Sequence, residues 1–155
     1  MTTRIAPRTI LKVIFMLFII FGMVKCLQSV TSKQAVLSNR MLMNNLYFRG
    51  TVLSVKTSNS HNFGILLLQL DTANKSRFVD TLKEGIYPYK IQNGLAEIYT
   101  NVADGIEKGD QIIIDFNEQK AYYYLKAETK HYEERISLIN YSGDIQFVRN
   151  NTVFR

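Results

Sequence analysis

One cysteine, two histidines, two prolines and no tryptophan are all that 155 residues hold of the types that most often staple, ligate or interrupt a fold. The lone Cys26 excludes an intrachain disulfide, so any folded part must hold itself together through its core. His61 and His131 are far apart in the chain, and no C-x-x-C, H-x-x-x-H or H-E-x-x-H spacing occurs, so no metal or other cofactor is expected. A G-x-S-x-G elbow and a glycine-rich phosphate loop are also missing, which removes the commonest serine-hydrolase and nucleotide-binding readings. With eight glycines and two prolines the chain is neither collagen-like nor low-complexity. Its length suits one ordinary domain and not two with separate cores.

Acid is absent from the first forty residues, which carry six cations: Arg4, Arg8, Lys12, Lys25, Lys33 and Arg40. The formal charge of +6 comes entirely from this segment, because 13 cations and 13 acids remain from Met41 onward. A nucleic-acid binder needs clustered Lys and Arg to displace counterions, whereas here they interleave with carboxylates, as at Lys83, Glu84 and Glu107, Lys108; nucleic acid is not the expected partner.

Between these cations, residues 13–24 read VIFMLFIIFGMV, apolar all round. At 1.5 Å per residue this block is about 18 Å long, close to a signal-peptide h-region, while residues 10–27 reach about 27 Å once Lys12 and Lys25 extend their ammonium groups to the interfaces. The stretch from Met23 to Gln28 lacks the small residues of a signal-peptidase site, and Lys25 precedes Cys26 where a lipidation site wants a small residue. An uncleaved single-pass signal anchor, inserted in the bilayer through residues 10–27, is therefore ranked ahead of a cleaved signal. A short amino tail with two arginines stays inside more readily, so the body is expected on the exported, periplasmic side of a bacterial inner membrane. Residues 28–45 read as a linker with helical character.

From residue 46 the periodicity becomes alternating, with β-branched and aromatic residues between polar turn clusters. Strands are predicted over 46–56, with a bulge at Gly50, and over 63–70, apolar on both faces and hence central. Others are placed at 86–92, 95–102, 111–116, 121–125, 135–141 and 145–148. Asn93 and Gly94 mark a tight hairpin, and Pro88 assigns its strand to an edge. Phe78, Val79 and Leu82 are read as a short helical turn. The expectation is a mainly β domain over 46–155, a small barrel or sandwich, preceded by the anchor over 1–27.

Phe48, Gly50 and Val52 (F-x-G-x-V), with Ile106, Gly109, Asp110 and Ile112 (I-x-x-G-D-x-I), resemble small membrane-anchored OB-like β-domain proteins of the bacterial envelope. In the second motif Gly109 supplies positive φ, Asp110 bonds back to backbone N–H groups and the isoleucines reach the core. The same turn is similar to biotinyl-lipoyl and membrane-fusion-protein domains, which implies an adaptor subunit of an envelope transport assembly. Against that stand the missing lysine-bearing hairpin and the missing heptads.

For chemistry the residues offer little. His61 and His131 sit in polar surroundings, and Asp104, Glu107 and Asp110 suit a turn better than a calcium ion. A carboxylate-based envelope hydrolase would need two acids facing each other across a pocket at about 5 to 10 Å. The candidate binding residues are tyrosines: Tyr87 and Tyr89 on the edge strand and Tyr122, Tyr123 and Tyr124 in succession, whose broad rings and polar tips suit a protein partner. In strands such rings also cap a small core. The leading functional reading is a non-enzymatic binding or scaffolding module displayed at a membrane surface.

Overall fold

A computed structural model describes residues 16, 18–21, 23, 25, 40, 42–59, 61–127 and 131–154. The chain divides into two compact units, Met1–Leu37 and Ser38–Arg155.

In the first unit every described residue is helical. Met16, Phe18, Ile19, Ile20, Phe21 and Met23 each expose 44–77% of their surface. At 100° per residue these positions ring the whole helix, so its apolar surface has no preferred side. Among the described residues no helix is long and apolar enough to cross a membrane, and most of the expected span over 10–27 lies outside them. Of the expected linker, residues 28–39 and Arg40's neighbour at 41 likewise lie outside.

The second unit is mainly β. Seven strands, β1 (Tyr47–Thr57), β2 (Phe63–Ala73), β3 (Tyr89–Gln92), β4 (Leu95–Asn101), β5 (Gln111–Asp115), β6 (Lys120–Tyr124) and β7 (His131–Arg135), form one antiparallel sheet. Their order is β3-β4-β2-β1-β5-β6-β7. The predicted central place of β2 holds, since it lies between β4 and β1, and β3 is an edge directly after Pro88. Asn93 and Gly94 both adopt positive φ, 54° and 76°, as a two-residue turn matched to strand twist requires. Gly50 sits at a register shift in the β1–β2 ladder, where a Cβ would come within 2.6 Å of the Gln69 carbonyl oxygen. The bulge and the glycine thus have one cause, a close crossing of two backbones.

Alternation sorts the side chains into two layers. Phe48, Val52, Leu66, Leu68, Ile98, Ile112 and Ile114 point into the main core, which Leu42 and Leu46 also enter. Leu42, assigned to the linker by its polar sequence neighbours, is fully buried and belongs to the β-unit. On the opposite face Phe63, Ile65 and Tyr99 meet Val148 of helix α1 (Ser142–Asn151).

Four expectations are corrected. Residues 145–148 are helical, not a strand: the run Ile145, Gln146, Phe147, Val148 alternates like a strand, but Asp144 and Arg149 complement the helix dipole and Phe147 and Val148 find Phe63 and Ile65 to cover. Strand β7 covers 131–135 in place of the predicted 135–141. Phe78 is no helical turn; it makes an isolated bridge to Ile91, protecting the outer edge of β3. The sheet also fails to close into a barrel, because β3 and β7 do not pair with each other. An isolated bridge from Ile86 to Ile139 links the two ends, and a seam is left between β7 and the far end of β4.

Candidate functional site

The five candidate tyrosines do not share a surface. Tyr89 is buried at the centre of an aromatic cluster, its ring centroid 4.2 Å from that of Phe116 and 4.7 Å from that of Phe78. Its hydroxyl meets the Asn44 side chain, and burial raises its pKa far above the ordinary tyrosine value. Tyr87 is half-buried against Phe78 at 5.0 Å. Tyr123 is as fully buried as Tyr89, with its hydroxyl donating to Glu134 at 3.3 Å. These three rings pack the domain. Tyr122 and Tyr124 point the other way, as strand parity predicts, and only they remain as surface candidates.

Register shows what surrounds those two. Tyr124 lies opposite His131 on β7 and Gln111 on β5, while Tyr122 lies opposite Glu133 and Ile113, and Ile113 opposite Arg49. Opposed residues in an antiparallel ladder share a face, so these form one continuous outer surface. The Tyr124 and His131 rings stack at 5.8 Å with a 24° tilt. Tyr122 donates to Glu118, whose carboxylate pushes the phenol up to about 12, and Lys120 bonds Glu133 at 2.8 Å. Arg49 donates to Gln111 at 2.8 Å. Acids and bases are balanced across the face, leaving rings and planar polar groups as its distinguishing chemistry. His131, read from sequence as a solvated residue, is exposed as expected but is also the stacking mate of Tyr124. Nothing short of the register could pair residues across an intervening loop.

The second site is a cleft of about 260 Å³ at the seam. Its walls include Thr100 and Asn101 of β4, Tyr123 of β6, Glu134 of β7, Asp144 of α1 and Tyr141 just before that helix. Glu134 is on the core face of β7, opposite Ala121, and accepts from Thr100 Oγ1 at 3.4 Å as well as from Tyr123. Burial raises its pKa above the usual carboxylate range against those hydrogen bonds. Asp144 is raised by burial too, with His61 pulling it back. Neither acid stands out in the sequence: Glu134 lies among the charged residues Glu133 and Arg135, and Asp144 falls between the strands expected at 135–141 and 145–148.

Comparison with family models, curated proteins and solved structures finds no match for this chain.

Two other buried acids have structural duties. Asp110, 3% exposed, accepts from the Glu107 and Lys126 N–H groups, each at 2.8 Å, and Gly109 beside it has φ 96°. Ile106 and Ile112 are both buried, so the motif does what its residues predict. The Asp110 oxygens are thereby committed to backbone donors, and among the described residues no group of three or more His, Cys, Asp or Glu could hold a metal ion. Glu97, 1% exposed on β4, accepts from the Tyr99 and Thr152 hydroxyls and the Val153 N–H, fastening the end of α1 to the sheet.

Proposed function

We propose that this chain is a non-enzymatic binding or scaffolding module, held in a membrane by its amino-terminal helix, that recognises a protein partner through the outer face around Tyr122, Tyr124 and His131. The observation that carries the proposal is the exposure of apolar side chains all round the amino-terminal helix, for which a bilayer is the solvent that removes the cost. The cations flanking that helix and the charge balance of the β-unit support the same reading. An OB-like ancestry of the domain, and its export to the periplasmic side of a bacterial inner membrane, are parts of this proposal; the F-x-G-x-V strand and the I-x-x-G-D-x-I turn support the first.

Alkaline carbonate extraction of native membranes, with mass spectrometry of the mature amino terminus and of cross-linked partners, tests it. The full chain should stay with the membrane pellet with its first residues intact. Tyr124→Ala should reduce recovery of the partner at least severalfold with no change in Tm. Release of the chain by carbonate, or a terminus beginning after Cys26, would overturn the anchor; undiminished recovery by Tyr124→Ala would overturn the face.

A further inference from the structure

We propose that the seam cleft receives a lysine or arginine side chain from an extended peptide segment of a partner lying along the outer edge of β7. The assignment goes beyond the outer-face reading and uses different residues. Ile136 N–H donates to the Gln119 carbonyl at 2.9 Å, and in an antiparallel ladder bonded residues alternate, so Glu134 and Tyr132 turn their N–H and C=O groups toward β6. The peptide groups of His131 and Glu133 then point away from β6, along the open edge of the sheet. Across the cleft β4 outruns its neighbour: β3 pairs with residues 95–98, Tyr99 N–H takes the Pro88 carbonyl, and Thr100 and Asn101 extend past that cover. An incoming strand thus meets backbone donors and acceptors, the recurring basis of strand addition.

The cleft itself selects the side chain. Its volume is below that of an ordinary small-molecule site and suits a single long side chain. Glu134 and Asp144 give it two carboxylates. The guanidinium of Arg135 reaches Gln119 Oε1 at 3.4 Å, and His61 is the cationic influence on Asp144. Phe63, Tyr123 and Tyr141 supply rings against which an alkyl stem or guanidinium can lie. Burial holds both acids above the usual carboxylate range, a desolvation that an entering cation offsets.

The test is an NMR titration of the isotopically labelled full chain in nonionic detergent micelles with acetyl-Val-Arg-Val-amide, and with acetyl-Val-Glu-Val-amide as its charge-reversed control. The arginine peptide should shift the amides of Thr100, Asn101 and Glu133 and bind at least tenfold more tightly than the glutamate peptide. Glu134→Gln and Asp144→Asn should each weaken it severalfold; Asp144, nearer the surface in the first turn of α1, keeps the test valid if the Glu134 variant does not fold. Equal binding of both peptides, shifts elsewhere on the domain, or indifference to both substitutions would overturn the proposal. So would concentration-dependent shifts along β7 without peptide, which would assign the edge to a second copy of the chain. Carbonate extraction and Tyr124→Ala read other residues, so either proposal can fail alone.

Discussion

The hub of β1, β2, β4 and β5 and the seam beside β7 contain the same kinds of residue put to opposite uses. In the hub the buried acids Asp110 and Glu97 have two and three donors respectively, drawn from backbone N–H groups and hydroxyls. At the seam Glu134 is bonded by two hydroxyls at longer distances, 3.3 and 3.4 Å, and borders open space. A buried carboxylate with short bonds to fixed donors locks a fold, whereas one with longer bonds beside a cavity keeps capacity for a ligand. Burial follows the same division: the central β1 and β2, of 11 residues each, both carry fully buried positions, and β7, of five, has none.

The contrast is broken most strongly by emptying the hub. Phe48→Ala should lower the unfolding free energy by about 3–5 kcal/mol in urea titrations, because the cavity opens among Tyr89 and Phe116. Glu133→Ala on the outer face of β7, which removes an exposed ion pair with Lys120, should hardly move the midpoint. Next comes Asp110→Ala, which takes the buried acceptor away from the Glu107 and Lys126 N–H groups and should cost about 1–3 kcal/mol, with Asp110→Asn costing less because one acceptor oxygen survives. Thr152→Val should cost about 1–3 kcal/mol by depriving Glu97 of a hydroxyl. Hydrogen exchange should show it first in α1, whose amides should open before those of β2.

The smallest effect is one of pH. Burial raises the native pKa of Glu134 and Asp144 above their unfolded values, so the native state holds these protons more tightly. Their stabilising contribution is complete below the ordinary carboxylate pKa of about 4 and is lost as pH rises through the raised native values. Urea midpoints from pH 3.5 to 7 should therefore decline less steeply in the double variant Glu134→Gln, Asp144→Asn than in the parent, by under about 1 kcal/mol across the range. An unchanged slope would mean that the seam is as well solvated as the open surface.

Much of the hub was legible residue by residue. Period-two alternation marked β1, β2, β4, β5 and β6, the continuous apolar run of residues 63–68 marked a strand covered on both sides, and Asn93, Gly94 and the Gly109, Asp110 turn carried their geometry in their side chains. These signals are local, set within a few residues by sterics and hydrogen bonding. The seam was not legible, for reasons just as physical. The run Ile145–Val148 has a pattern compatible with strand or helix, and only the apolar patch left by Phe63 and Ile65 decides between them. Tyr89 and Tyr124 read alike in the chain, yet one lies in the core and the other at the surface.

By itself, then, the sequence determined that the chain has one β-rich body, an all-round apolar amino-terminal segment, a charge excess confined to the first forty residues, and no cysteine or histidine framework for metal or disulfide chemistry. Tertiary structure alone decided which tyrosines are buried, that His131 stacks on Tyr124, that α1 closes one face with Glu97 as its fastening, and that the sheet stays open beside a cleft lined by Glu134 and Asp144. The first group follows from composition and short-range periodicity. The second depends on register and on contacts between residues distant in the chain, which local preference does not specify.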